Sequence, residues 1–304
     1  VSIDPVLAVA CLAAAALVGW SLRHREAGAH RWRAIAGIGA VTLLAGAWIS
    51  PLQTLASRYL LSAHLAQVLL VMGVVPPLLL LALPARGPAA VPGWLCRAGR
   101  AATHPVTGMV AINVVFFVWH LGPVYDASLR TAQLYALQQV TLLLVSVLFW
   151  WPIVVPFGGR HVLSRWATLG YILVATIPQT FAGITVALAK HPLYAGYGSA
   201  PRLLGLGVLT DQQIAGACLA LVSKLALFAA FAVVFMRMLN DNPADGGDDG
   251  GGGGWRRPGA DTPSPQPSGT LGWLDDLNAG RTVPEPVPAR ARLSSPAGAG
   301  SARE

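Results

Sequence analysis

Seven blocks of apolar residues, most of them long enough to cross a bilayer as a helix, dominate this chain and leave few folds open to it. They occupy residues 3–22, 32–49, 60–83, 106–121, 131–155, 167–189 and 214–239. A helix needs about 20 residues to span the hydrocarbon core. Within that core every backbone N–H and C=O must be paired inside the protein, which a helix does segment by segment. Only 11% of the residues are charged, whereas soluble domains carry about 25%. The expectation is an all-α polytopic transmembrane bundle of about seven helices over residues 1–239. Pro76 and Pro77 fall inside the third block and predict a kink or an early end there. Asp4, not a basic stretch, precedes the first block, so it reads as a retained span rather than a signal peptide.

Composition changes abruptly after Leu239. Residues 245–254 read DGGDDGGGGG, and Pro, Ser, Gly, Ala and Arg dominate to Glu304. Such a segment buries too little apolar area to offset its ordering entropy, so 240–304 is expected to be a disordered cytoplasmic tail. Trp273, Leu274 and Leu277 form its one short apolar patch. The tail holds 6 Arg against 9 acids, while residues 1–239 hold 15 basic residues against Asp4, Glu26, Asp126 and Asp211.

A basic chain can signal nucleic acid, but here the positive charges lie between apolar blocks, so lipid headgroups and the bilayer are the expected partners. Ten of them (Arg23, Arg25, Arg31, Arg33, Arg86, Arg97, Arg100, Arg160, Arg165 and Arg237) fall on one side of the topology. Four (Arg58, Arg130, Lys190 and Arg202) fall on the other. The excess marks the cytoplasmic side, with the N-terminus outside and the C-terminus cytoplasmic.

That orientation gathers polar residues at one face. His64 and Gln67 enter from outside on the third span; Trp119 and His120 end the fourth. Tyr135, Gln138 and Gln139 lie in the outer half of the fifth. His191, Tyr194 and Tyr197 sit in the loop before the seventh, and Asp211, Gln212 and Gln213 at its start, where Asp211 would suit an N-cap. Single members have bland uses as belt aromatics or interhelical glue. Their convergence makes an outer polar site, since polar groups in membranes default to function. Lys224 stands apart near mid-span, with no acid at matching depth.

Imidazoles from different helices suit copper or zinc, so His64, His120 and His191 are the metal-ligand candidates. Cys11, Cys96 and Cys218 have no zinc spacing. No nucleophile elbow, P-loop, GxGxxG or HExxH is present, and no catalytic residue is assigned. The residues alone leave open a transporter with Lys224 and Asn113 lining a cavity, and a haem enzyme with His64 and His120 as axial ligands.

A set of motifs narrows this. His64-Leu-Ala-Gln67 is followed by Val75-Pro-Pro-Leu78 and Leu83-Pro84. Val118-Trp119-His120 precedes Pro123-Val-Tyr125-Asp126, and Leu137-Gln138 precedes Leu148-Phe149-Trp150-Trp151-Pro152. Pro192-Leu193-Tyr194 with Tyr197, then Asp211-Gln212-Gln213-Ile-Ala215-Gly216, complete the series. In this order they resemble the polytopic CtaG family, seven-helix assembly factors of caa(3)-type cytochrome c oxidase. The resemblance implies a bacterial cytoplasmic-membrane protein of the respiratory chain that is not an enzyme. It further implies an oxidase subunit as partner and copper as the handled metal. The chain departs from the family where Leu65 and Val68 replace a Met and a second His. Tyr135 and Gln139 stand where the family has His, and Leu219 and Ala220 replace a Met-Trp pair. His64, His120 and His191 remain as imidazoles.

Overall fold

The computed structural model describes residues 4–23, 31–84, 93–154, 163–203, 205–221 and 224–240. Among these there is no strand. The tail expected beyond Leu239, with its Trp273 patch, lies outside the described residues except for Asn240. The helices are α1 (Pro5–Arg23), α2 (Arg31–Trp48), α3 (Pro51–Arg58), α4 (Leu61–Leu69), α5 (Val75–Ala82), α6 (Gly93–Ala102), α7 (Pro105–His120), α8 (Gly122–Arg130), α9 (Ala132–Val154), α10 (Arg165–Leu188), α11 (Val208–Leu221) and α12 (Lys224–Asn240).

Among the described residues, five stretches are long and apolar enough to cross a membrane outright: α1, Leu61–Ala82, α9, α10 and Val208–Met236. Two bent pairs raise the number to as many as seven if each is counted as one span: α2 with α3, at 47°, and Cys96–Ala102 with α7, at 64°. Bulky apolar side chains such as Leu12, Ile35, Val106, Leu144, Leu173, Phe181 and Phe228 stay exposed along the spans. A continuous apolar exterior of this kind is what lipid requires and water penalises.

The third span does not end at its prolines. A π-helical turn, Leu70–Val74, joins α4 to α5, and Pro76 falls in the first turn of α5. Pro76 has no N–H to offer the Met72 carbonyl four residues earlier. The Trp150 indole supplies one instead, donating from Nε1 to that carbonyl at 3.0 Å. Both residues are buried, so Trp150→Phe should cost about 1–3 kcal/mol through one stranded carbonyl. A thermal-stability assay in detergent reads this directly.

Close crossings are made by glycine. In the α10–α11 pair a Cβ on Gly183 would lie 2.5 Å from the Ala220 nitrogen, and one on Gly216 would lie 2.3 Å from that of Ala187. Each helix thus offers a small residue at i and i+4, the pattern that lets membrane helices meet backbone to backbone. Gly108 does the same for α7 against α9 at the Leu148 carbonyl.

Among the described residues the buried side chains form two clusters. One joins α4, α7, α9, α10 and α11, and includes Leu65, Phe116, Leu142, Phe149 and Leu219. The other joins α1, α2, α5 and α9, and includes Leu7, Leu44, Trp48, Val75 and Leu143. The first carries the polar site at one end.

Candidate functional site

Helix direction decides which residues can meet. α4, α9 and α11 begin at one end of the bundle, and α7 and α10 finish there, so the polar ends of five helices share a level. Asp211 shows how they are fastened. It lies in the first turn of α11, because that helix starts at Val208 rather than at 214. It does not cap its own helix, as the sequence suggested. Its carboxylate accepts from the Leu61 N–H at 2.6 Å, the Ser62 N–H at 3.3 Å and the Ser62 hydroxyl. It therefore caps α4, where a negative charge also meets the positive end of the helix dipole. Leu60, the residue at the cap position itself, has no side-chain oxygen to do so.

His64 follows one turn later and is fully buried. Its Nδ1 lies 3.0 Å from the Tyr135 hydroxyl. That hydroxyl donates onward to Gln67 Oε1 at 2.7 Å, and the Gln67 amide donates to Gln53 Oε1 at 2.6 Å and to the Ala47 carbonyl at 2.7 Å. A hydroxyl that spends its one proton on Gln67 must accept from His64, so Nδ1 carries the imidazole hydrogen. His120 reaches the same state separately: its Nδ1 lies 2.7 Å from the Phe116 carbonyl, which can only accept. In its neutral form each ring then leaves Nε2 as a bare lone pair. Both Nε2 atoms are buried without a hydrogen-bond partner.

The two rings are neighbours, with centroids 5.7 Å apart. Tyr125 packs its ring 4.9 Å from His64 and 5.9 Å from His120, and Phe116 stacks on His120 at 4.2 Å. Tyr125 and Tyr197 join hydroxyl to hydroxyl at 2.7 Å, and Tyr197 donates to the Ala56 carbonyl. Tyr194 donates to the His120 carbonyl at 3.1 Å. Burial first, then nearby Asp126, pushes the Tyr194 phenol up to about 12. Burial drives Tyr125 and Tyr197 upward too. All three remain neutral donors that hold the site's wall.

Other expected residues sit around this centre rather than in it. Gln138 and Gln139 are fully buried; Gln139 Oε1 accepts from the Trp48 indole at 3.1 Å, and the Gln138 amide nitrogen has no partner. Gln212 accepts from the Leu193 N–H at 2.6 Å and donates to the His191 carbonyl at 3.3 Å. Gln213 donates to the Ala189 carbonyl at 3.4 Å. These two staple the loop after α10 to α11. Asp126 grips the same loop through the Gly196 N–H at 2.9 Å. His191 is exposed on that loop. Asn113 turns its amide back to the Met109 carbonyl, and Lys224 opens α12, partly buried. A cavity of about 40 Å³ beside Val68, Met72, Phe116 and Gln179 has neither Asn113 nor Lys224 in its wall.

Sequence reasoning missed Gln53, Ser62 and Trp48 as partners of the site. Gln53 and Ser62 lie in short helical turns flanking Tyr59, where hydropathy carries no signal for a long-range contact. Among the described residues no group of three or more His, Cys, Asp or Glu is placed to hold a metal. What remains is a pair of neutral imidazoles offering two lone pairs in an aromatic box.

No curated protein and no solved structure gives a significant match. A family model described as cytochrome c oxidase caa3 assembly factor matches residues 14–241. That range takes in the site and every helix, from within α1 to the end of α12, extending the motif resemblance to the first two spans. The chain belongs to the Caa3_CtaG family of cytochrome c oxidase caa3 assembly factors.

Proposed function

We propose that this protein serves the assembly of a haem–copper cytochrome c oxidase by holding copper(I) between His64 and His120 and passing it to an oxidase subunit. The observation that supports this best is the pair of buried, unpartnered Nε2 lone pairs, each fixed in its tautomer by a bond at Nδ1. Leaving two such acceptors unmet is costly, so a ligand that satisfies both is a natural use for them. Imidazole binds copper well. One ion with two bonds of about 2 Å needs its donors roughly 4 Å apart, and rings centred 5.7 Å apart can reach that. Among the described residues no carboxylate bonds to or packs on either imidazole. A single positive charge therefore suits the site better than a divalent ion, whose burial would cost far more. Two neutral ligands also leave the ion open to capture by a better-equipped client.

The proposed role is non-catalytic, in the bacterial cytoplasmic membrane, with the site on the non-cytoplasmic side. The distribution of charge supports that orientation: Arg23, Arg31, Arg33, Arg97, Arg100 and Arg165 all stand at the end of the bundle opposite the site. No observation favours a transporter, since Asn113 and Lys224 do not line the cavity beside the site. Deleting the gene should lower both the copper content and the activity of the oxidase. Wild-type protein should restore them, and the His64→Ala, His120→Ala chain should not. An oxidase with normal copper and activity in the deletion strain refutes the reading.

A further inference from the structure

The end of the bundle opposite the histidines has its own composition. There α1 and α5 finish, and α2, α7 and α10 begin; the Ser21 hydroxyl bonds the Ala82 carbonyl and Arg33 bonds that of Leu83. Each of four helices here carries a tryptophan within a turn of an arginine. Trp20 precedes Arg23 on α1, Trp32 lies under the Arg33 guanidinium at 5.4 Å on α2, Trp94 precedes Arg97 on α6, and Trp166 follows Arg165 on α10. Trp94 is 65% exposed and Trp166 73%. The three described acids, Asp4, Asp126 and Asp211, all stand at the other end.

α6 belongs to a span only if it and α7 are counted as one bent segment. It turns away from α7 by 64°, while α7, which has 16 residues, covers only about 24 Å of the membrane thickness. Trp94, Cys96, Arg97 and Arg100 on α6 are all exposed. At 3.6 residues per turn, Trp94, Ala98, Ala101 and Ala102 share one face, Arg97 borders it about 60° from Trp94, and Arg100 lies farther round on the other side. A short helix with an exposed tryptophan face and a basic face, leaving a membrane span at a steep angle, has the properties of a segment lying in the headgroup layer.

We propose that α6 is an interfacial anchor that binds an anionic phospholipid surface, with Trp94 dipped below the headgroups and Arg97 and Arg100 paired to lipid phosphates. Charge complementarity selects lipid as the occupant: guanidiniums gather at this end, and no described carboxylate competes for them. An arginine near an anionic surface is worth roughly fivefold in binding. This proposal does not depend on copper at the opposite end.

The test uses the full chain in nanodiscs, with an environment-sensitive dye at Trp94→Cys and with Cys11, Cys96 and Cys218 replaced by Ser. Lipids brominated near the headgroup should quench the dye more than lipids brominated near the chain ends. Added phosphatidylglycerol should protect it from aqueous iodide several-fold compared with phosphatidylcholine alone, and salt should weaken that protection. Arg97→Glu with Arg100→Glu should erase the lipid dependence while the dye still reports a folded bundle. Free access of iodide in both lipids overturns the proposal. So does shielding from both quenchers, which would mean protein covers α6. Stronger quenching from the chain ends overturns it in favour of a re-entrant segment.

Discussion

Purified His64→Ala, His120→Ala protein should bind copper(I) at least about 100-fold more weakly than wild type in a competition titration against a chromophoric chelator. That figure is a floor, because loss of a supporting partner alone costs about 10–100-fold at metal sites, and here both ligands go. The companion change, Tyr135→Phe, should fall in that smaller range. It leaves both ligands in place but removes the hydroxyl that accepts from His64 Nδ1, so the ring no longer has a reason to keep its hydrogen there. Imidazole tautomer populations, read from nitrogen chemical shifts, should then become mixed for His64 and stay unchanged for His120. His191, exposed on its loop, should affect the affinity little when replaced by Ala. A double variant that retains wild-type affinity would remove copper handling from the site.

Gly216→Ala is expected to be the most damaging single-methyl change in the bundle. The added Cβ would meet the Ala187 nitrogen at 2.3 Å and the Gly183 carbonyl oxygen at 2.7 Å. Backbone cannot rotate out of the way as a side chain can, so α10 and α11 must separate. Overpacking of this kind costs about 1–3 kcal/mol or more. The separation also moves Asp211 relative to α4. Gly39→Ala is the control: a Cβ added there on α2 would have nothing within 4 Å, and alanine is the better helix former by about 1 kcal/mol. Thermal melts in detergent should show Gly216→Ala falling well below wild type and Gly39→Ala equal or higher. Equal melts for the two would mean that the helices are not in backbone contact.

Much of this architecture was readable from the sequence because the bilayer imposes a simple rule of length and polarity. The blocks at 3–22, 131–155 and 167–189 correspond closely to α1, α9 and α10. Bends were harder. The break between α2 and α3 and the turn from α6 into α7 follow Pro51 and Pro105, yet hydropathy averages across both. The last span starts earlier than its apolar block because Thr210, Asp211 and Gln212 lower the local hydropathy, although Asp211 and Gln212 are buried. Their polarity is spent on α4 and on the loop at 191–193, partners about 150 and 20 residues away. The prolines at 76 and 77 predicted interruption. What they received was a π-turn and the Trp150 indole, a tertiary repair that no local pattern encodes. The meeting of His64 with His120 was legible from topology alone, since alternating spans put both at one level. Their tautomers were not, because those depend on Tyr135 and on a carbonyl of Phe116.

Those tautomers have a consequence for traffic through the site. Thiolate and phenolate sites must shed hydrogen ions to take up a cation, so their occupancy follows alkalinity. Here each ring already presents an unprotonated nitrogen and keeps its one hydrogen engaged elsewhere. Under the proposed role, an ion could therefore arrive and leave without any acid–base event, and the pair would work as a passive cradle whose filling follows supply and demand for the ion alone.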